Sequence, residues 1–302
     1  MPRGHRAVEG VRRAKPSGDF CRIFRSMKLR RSVGLLALLS VACGGGGAPP
    51  ATPAPVPESA VTVPAAPAAS AAPSGKTADY AAIIGAPDRD PEDKKLDAGR
   101  HPAEMLAYYG IAPGMKVAEL GAGGGYTSEL LARAVGPTGV VYGQNAKGIL
   151  ERFAEKPWSE RLAKPVMKNV VRLNREFDDP FPSDVHDLDV VLIVLFYHDT
   201  VWLNVDREKM NRAVFAALRP GGTYGIVDHS AREGSGVSDV QTFHRIEEKN
   251  VKGEVTAAGF TFVGEADFLR NSSDTRDWND SPRVAGDRRG TSDRFVLKFQ
   301  KP

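Results

Sequence analysis

Two histidine–aspartate pairs are the residues best suited to chemistry in this sequence. His198 and Asp199 follow one strongly apolar stretch, and Asp228 and His229 follow a second. A histidine held by a carboxylate can take a proton from an oxygen or nitrogen near neutral pH. The same groups could instead bind a divalent metal, with Asp199, Asp228 and His229 as ligands. We favour the base over the metal, because no H-x-x-x-H spacing supports a metal site.

A glycine-rich turn is the second chemical feature. The segment from Glu119 to Tyr126 reads Glu-Leu-Gly-Ala-Gly-Gly-Gly-Tyr and joins a strand pattern to a helix pattern. Glycines let the backbone approach a ligand where a Cβ would clash, and a helix N-terminus offers free N–H groups. The turn therefore indicates a nucleotide-like cofactor. A dinucleotide fingerprint starting at Gly121 would need glycine where Tyr126 stands.

The elements that position these residues alternate between short β-branched strands and helices. We predict strands at about 116–120, 139–143, 169–173, 188–196, 223–227, 260–267 and 294–300. We predict helices at about 102–109, 126–135, 147–155, 206–218 and 247–258. This order predicts an α/β fold: a doubly wound, mostly parallel seven-stranded sheet with helices on both faces and an antiparallel edge strand. The carboxyl ends of neighbouring strands form one crevice, where both histidine–aspartate pairs should meet.

Together, these motifs resemble those of the class I S-adenosylmethionine (SAM)-dependent methyltransferases. The acidic-x-Gly-x-Gly-x-Gly turn that starts at Glu119 is similar to the first motif of that family. The segment Leu218-Arg219-Pro220-Gly221-Gly222 is similar to its turn before a later strand. The resemblance covers about residues 100–300. It extends to a bacterial branch of predicted methyltransferases with Tyr-His-Asp after one strand and Asp-His after the next.

The resemblance implies SAM as the cofactor and methyl transfer as the reaction. It implies that the loop glycines pass under the methionine part of SAM, while Glu119 orients the loop or meets the amino group. The implied cofactor-binding residues of this turn are Glu119, Gly121, Gly123, Gly125 and Tyr126.

The adenosine side of the cofactor is implied at two other places. Asp178 would accept a hydrogen bond from the adenine amino group. The second strand of the family normally ends in an acid that holds the ribose hydroxyls, and here it ends in Gln144 and Asn145. Neutral amides can bind a diol, but a charged acceptor binds it more strongly.

Two basic pairs outside these motifs could cover the crevice. His244-Arg245 could form a lid with a charged contact for the acceptor, or simply begin a solvated helix. Arg100-His101 could close over the cofactor.

The charge distribution argues against nucleic acid as a partner. The chain has 302 residues, with 41 Lys+Arg, 37 Asp+Glu and a formal net charge of +4. Ten of the basic residues but only two acids, Glu9 and Asp19, lie in residues 1–42. The remainder is mildly acidic and lacks a basic footprint. We expect a small-molecule acceptor rather than a protein, and no nucleic acid.

The basic start predicts export and a lipid anchor. From Met27, which we interpret as the true start, a basic segment precedes about ten apolar residues, the pattern of a secretory signal peptide. The run ends in Leu39-Ser40-Val41-Ala42-Cys43, which resembles a bacterial lipobox. We predict a leader over 1–43 that is lipidated at Cys43, a disordered Pro/Ala/Gly-rich linker over 44–77 and a domain over 78–302. The protein would contact the periplasmic side of a bacterial membrane through the lipid anchor only.

Three functions remain open from the sequence. The leading one is a SAM-dependent methyltransferase that acts on an unidentified oxygen or nitrogen acceptor. SAM is made in the cytoplasm, however, and the leader predicts export. The alternative is therefore an exported, non-catalytic binding domain that keeps the methyltransferase fold. A metal-dependent hydrolase would use the histidine–aspartate pairs without SAM, and the metal content of the purified protein would identify it.

Overall fold

A seven-stranded sheet organises residues 77–302, the part of the chain that the computed structural model describes. The strands are β1 Lys116–Leu120, β2 Val140–Asn145, β3 Val170–Asn174, β4 Leu188–Val194, β5 Leu218–His229, β6 Thr261–Ala266 and β7 Arg294–Gln300. Their order in the sheet is β3-β2-β1-β4-β5-β7-β6. The first five strands pair in parallel, and β7 runs antiparallel to both β5 and β6. The predicted α/β fold is confirmed.

Helices and short helical turns connect the strands. They are α1 Tyr80–Gly85, α2 Pro91–Arg100, α3 Pro102–Tyr109, α4 Tyr126–Val135, α5 Lys147–Ile149, α6 Glu155–Leu162, α7 Asp199–Trp202, α8 Arg207–Ala217, α9 Val240–Phe243 and α10 Glu248–Ala257. A π-helical segment, Leu150–Ala154, joins α5 to α6. In residues 77–302, we find no helix with both the length and the apolar character that crossing a bilayer requires.

The core lies on both faces of the central strand. Residues Val190 to Ile193 of β4 are almost completely buried, which explains why this strand is apolar at consecutive positions. The neighbouring β1 is buried from Val117 to Leu120. The edge strand β6 is mostly exposed. The most buried strands, β1 and β4, therefore end at the predicted crevice.

Most predicted strands match the structure within two residues, and the main differences are in β5 and in several helices. The bounds of β1, α3, α4 and β7 are as predicted. Strand β5 begins at Leu218 rather than 223, because the Pro-Gly-Gly segment continues the strand through a register shift opposite Leu188 and Val190. The predicted helix at 147–155 is the short α5 followed by the π-helical segment, and the sequence did not predict α1, α2, α6, α7 or α9. The predicted leader, Cys43 and almost all of the linker lie outside the described residues.

Candidate active site

A cavity of about 590 Å³ opens where β1 and β4 end. The glycine turn from Gly121 to Gly124 forms one wall, and Asp199, His229 and His244 lie on another. A second cavity of about 650 Å³, near Gly136, is lined by no acid and no histidine of the described chain. The first cavity, which we call the central cavity, combines the glycine turn with acids and histidines that can transfer protons.

Three of the four glycines of the turn, Gly121, Gly123 and Gly125, have positive φ angles and serve different purposes. A Cβ on Gly121 would lie 2.7 Å from Cγ of Phe196, and one on Gly125 would collide with Trp158. Gly123 has a φ of +55°, and its Cβ position meets only the Gly121 carbonyl at 4.0 Å. Gly121 and Gly125 are thus required for packing. Gly123 is the glycine that leaves space for a ligand.

The amides at the end of β2 hold the glycine turn. Gln144 Oε1 accepts a hydrogen bond from the Gly121 N–H at 3.0 Å, and Asn145 Oδ1 accepts one from the Gly123 N–H at 2.8 Å. Asn145 also donates to the Gly123 carbonyl at 3.1 Å. Both side chains are fully buried and do not line the central cavity. They organise the loop, whereas the sequence led us to expect contacts with ribose.

Glu119, near the end of β1, has a buried carboxyl group with a raised pKa. Its side chain is buried, lines the central cavity and accepts a hydrogen bond from the Ser128 hydroxyl. Burial raises the pKa of Glu119 to about 7, although hydrogen bonds from Ser128 and Thr127 act in the opposite direction. This carboxyl group therefore changes charge near neutral pH, where a cationic ligand could select its ionised form.

Tyr126 binds helix α2, which lines one side of the cavity. The Tyr126 hydroxyl donates to Asp97 Oδ1 at 2.6 Å, and Asp97 also forms an ion pair with Arg89. The Arg100 guanidinium lies 4.4 Å from the centre of the Tyr126 ring and lines the cavity. His101 instead contacts Glu104 near the surface. Of the Arg100-His101 pair, only Arg100 lies at the cavity.

Asp178 lies away from the cavity wall. Its carboxylate is 3.1 Å from Lys209 Nζ, and it is partly exposed. The preceding residue, Phe177, stacks on Phe196 with ring centroids 5.1 Å apart, and Phe196 lines the cavity. Phe177 therefore reaches the cavity wall through its contact with Phe196, whereas the Asp178 carboxylate does not line the cavity.

His198 and Asp228 form a fully buried pair. Asp228 accepts hydrogen bonds from the His198 backbone N–H at 2.7 Å and from the His229 N–H at 2.8 Å, and its Oδ1 lies 2.6 Å from His198 Nδ1. Burial alone lowers the pKa of His198, but the charges of Asp228 and Asp199 outweigh it and raise the pKa to about 10. His198 does not line the cavity, although its ring is 5.4 Å from that of His229.

His229 has a different carboxylate partner. Its Nδ1 lies 2.5 Å from Asp280 Oδ2 and 2.9 Å from Ser292 Oγ. The carboxylate favours a proton on Nδ1, although the Arg294 Nε–H also approaches this nitrogen, at 3.4 Å. With the proton on Nδ1, Nε2 is the basic atom. Burial lowers the pKa of His229, and Asp280 partly offsets this. The sequence suggested Asp228 as the partner of His229, whereas the structure places Asp280 there.

His244 completes a group of three imidazoles. Its Nδ1 lies 3.7 Å from Asp199 Oδ1, and its ring centroid is 4.1 Å from that of His198. Asp199 also accepts a hydrogen bond from Trp202 Nε1 at 2.6 Å. Burial, followed by the charge of His198, lowers the pKa of His244 to about 4. His244 is thus neutral at pH 7 and faces the cavity.

Several residues at the cavity were not identified from the sequence. Asp280 lies in the irregular chain between β6 and β7, and Arg294 is the first residue of β7; no motif marks either as a site residue. Arg245 was considered as part of a lid, but it is fully buried against Trp278 and forms an ion pair with Asp274. Of the His244-Arg245 pair, only His244 lines the cavity.

Comparison with protein families identifies one matching model. Residues 92–170 match the model of protein-L-isoaspartate(D-aspartate) O-methyltransferase (PCMT). The matched segment begins in α2 and ends at the start of β3, so it contains the glycine turn. It covers about a quarter of the chain.

Solved structures share the fold at low identity. A SAM-dependent methyltransferase from Aquifex aeolicus is 20% identical, with a TM-score of 0.50 over 71% of this chain and 100% of that one. A chain of the complex between the Haloferax volcanii Trm112 methyltransferase activator and the putative methyltransferase is 18% identical, with a TM-score of 0.50 over 76% and 100%. The [4+2]-cyclase SpnF is 15% identical, with a TM-score of 0.51 over 71% and 86%. The chain therefore has the class I methyltransferase fold.

Proposed function

We propose that this protein is a SAM-dependent methyltransferase that acts on an oxygen or nitrogen atom of a small molecule. The observation that carries the proposal is the central cavity, which joins the open space at Gly123 to the His229–Asp280 pair. The match to a methyltransferase family model over the glycine turn supports it.

The residues around the turn fit SAM. Gly123 leaves space that any side chain would occupy, and the buried Glu119 lines the same cavity. An ionised Glu119 would attract the positive charges of the cofactor's methionine part. When bound, SAM supplies a methyl group activated by its sulfonium. Phe196 covers Gly121 and offers an apolar wall beside the turn.

His229 is the group that we assign to proton removal. An oxygen or nitrogen acceptor gives up a proton as it is methylated, and a positioned base accepts it. Asp280 and Ser292 fix the His229 ring through Nδ1, so that Nε2 can accept the proton. Asp280 then stabilises the imidazolium that forms. His198 and Asp228 lie behind this site, where they tie the ends of β4 and β5 together.

One feature favours the non-catalytic alternative. The side chains of Gln144 and Asn145 bind the backbone of the glycine turn and do not line the cavity. Neither can therefore replace the acid that holds the ribose hydroxyls in the methyltransferase family. An exported binding domain that keeps the fold is therefore the second candidate. Its ligand would occupy the same cavity.

Calorimetry of the full chain with SAM and with S-adenosylhomocysteine tests the cofactor. We expect both to bind, and a chain that binds neither is not a methyltransferase. A panel of phenols, amines and carboxylic acids, screened for release of S-adenosylhomocysteine, then tests transfer. Cofactor binding without release from any member would favour the binding domain.

We also propose that the protein is a lipoprotein on the periplasmic side of a bacterial membrane. The support is the sequence alone: a basic start, a short apolar run and Cys43 at its end. The anchor would leave the cavity-bearing domain, residues 78–302, outside the bilayer.

A further inference from the structure

We propose that His198, Asp199 and His244 form a binding site for a divalent transition-metal ion of the zinc class. Each residue offers one ligand atom, and the three atoms lie within 4.8 Å of one another. The proposal stands on these residues alone and does not depend on SAM.

The spacing of the ligand atoms agrees with a tetrahedral metal. Nε2 of His198 lies 3.3 Å and Nδ1 of His244 lies 3.7 Å from Oδ1 of Asp199. Zinc binds nitrogen and oxygen ligands at about 2.0–2.2 Å, so neighbouring ligands of a tetrahedron are separated by about 3.3–3.6 Å. Both distances to Asp199 are close to this range, and an ion would draw in the remaining pair, His198 and His244, whose ligand atoms lie within 4.8 Å of each other.

An unpartnered nitrogen points to a missing ligand. Nε2 of His198 is completely buried and has no hydrogen-bond partner, even though Asp199 is 3.3 Å away. Buried polar atoms are rarely left unsatisfied in folded proteins, because each one loses its hydrogen bond to water. A metal ion bound to the Nε2 lone pair would satisfy this atom.

The surroundings of His198 match those of a metal-binding histidine. Metal-bound histidines usually donate their other ring N–H to a carboxylate, which fixes the tautomer. Nδ1 of His198 lies 2.6 Å from Asp228 Oδ1, which holds a proton there, so a metal would bind Nε2 by displacing the second proton of the imidazolium. Asp228 is itself held by two backbone N–H groups. It is therefore a positioning residue for the proposed site.

The site has a closed side and an open side. His198 is fully buried, whereas Asp199 and His244 line the central cavity. Three protein ligands with an open position are typical of catalytic zinc sites, and two imidazoles with one carboxylate favour zinc-class ions over magnesium. The open position would accept an oxygen of a hydroxyl- or carboxylate-bearing molecule in the cavity.

The ligand set differs from the one that the sequence suggested. The sequence suggests Asp199, Asp228 and His229, and the structure keeps only Asp199 of these. Asp228 is engaged by His198, and His229 is engaged by Asp280. His244 lies 45 residues after Asp199 in the chain, so its role depends on the fold.

Titration of the full chain with Co²⁺ tests the proposal. After chelator treatment and dialysis, we expect one equivalent to bind with the visible absorption of a low-coordinate site, and Zn²⁺ to displace it. His244→Ala and Asp199→Asn should abolish the spectrum while circular dichroism stays unchanged. His186→Ala is the control, since His186 is exposed and beside Asp187. It should bind like the wild type.

Two results would overturn the metal site. One is no stoichiometric Co²⁺ binding by the wild type, which would mean that His198 is simply a protonated histidine between two carboxylates. The other is a spectrum that persists in both His244→Ala and Asp199→Asn. SAM binding is measured separately on the metal-free protein, so failure of one proposal is distinguishable from failure of the other.

Discussion

Replacing Glu119 by glutamine should stabilise the protein at alkaline pH. The glutamate is buried beneath the glycine turn, where burial raises its pKa from 4.5 to about 7. Glutamine keeps the shape and can still accept a hydrogen bond from the Ser128 hydroxyl. It cannot ionise, however, so the variant avoids burying a charge.

The size of the effect follows from the two pKa values. Above pH 4.5 the unfolded chain releases the Glu119 proton, while the folded protein keeps it until about pH 7. The unfolded state therefore binds fewer protons in this window, and stability falls as the pH rises through it. Between pH 5 and pH 8 the free energy of unfolding should lose roughly 2–3 kcal/mol through this group.

Urea denaturation of both proteins at pH 5 and pH 8 measures this loss. Other groups titrate equally in both proteins, so the difference between their pH dependences isolates Glu119. We expect the wild type to lose roughly 2–3 kcal/mol more than Glu119→Gln over this range. Parallel pH dependences would show that Glu119 is not a desolvated carboxyl group.

The same carboxyl group links SAM binding to pH. A bound cation favours ionised Glu119, and the ionised fraction of a group with a pKa of about 7 is about 1% at pH 5 and about half at pH 7. The apparent Kd should therefore fall by up to about fiftyfold over this range. Calorimetry should show a flatter pH dependence for Glu119→Gln. An equal slope in both proteins would remove Glu119 from the cofactor site.

Three further changes test other parts of the proposal. Gly123→Ala should abolish SAM binding. The control is Gly110→Ala: Gly110 has a similar positive φ and no neighbour at its Cβ position but lies away from the cavity, so this variant should lose similar stability and still bind SAM. Equal SAM affinities of the two variants would contradict the role of Gly123. His229→Asn should lower turnover by about 10²–10⁴ and leave SAM affinity unchanged, because the imidazole is assigned to the acceptor's proton; unaltered turnover would show that another group is the base. Cys43→Ala should move the protein from the membrane fraction to the soluble fraction, and unchanged fractionation would contradict the lipid anchor.

Local patterns were enough to predict the centre of the fold. β1 and α4 flank the glycine turn, and both have bounds that hydrophobic periodicity alone indicates. Helix α2 was missed, although Asp90 caps it and Pro91 occupies its first turn, which is a standard start signal. Its apolar face is weak, so periodicity gave no support.

The partners within the site could not be predicted, because they depend on long-range packing. Neighbourhood in the sequence suggested that Asp228 serves His229, but the Asp228 side chain reaches across to the end of β4. Asp280 arrives from a long irregular segment before β7, for which no periodic pattern exists. Likewise, nothing in a sequence shows that Gln144 and Asn145 turn toward the glycine backbone.

The position of β7 constrains when the protein can complete its folding. Residues Arg294–Gln300 lie between β5 and β6, so the edge of β5 stays unpaired until this late segment has been synthesised. An open strand edge readily pairs with other chains, and pairing over some 70 residues is slow because a long loop must close. The sheet of a nascent chain would therefore stay unfinished until residues 294–300 had left the ribosome. The Asp280 side of the cavity is completed late for the same reason, because Asp280 lies in the chain between β6 and β7.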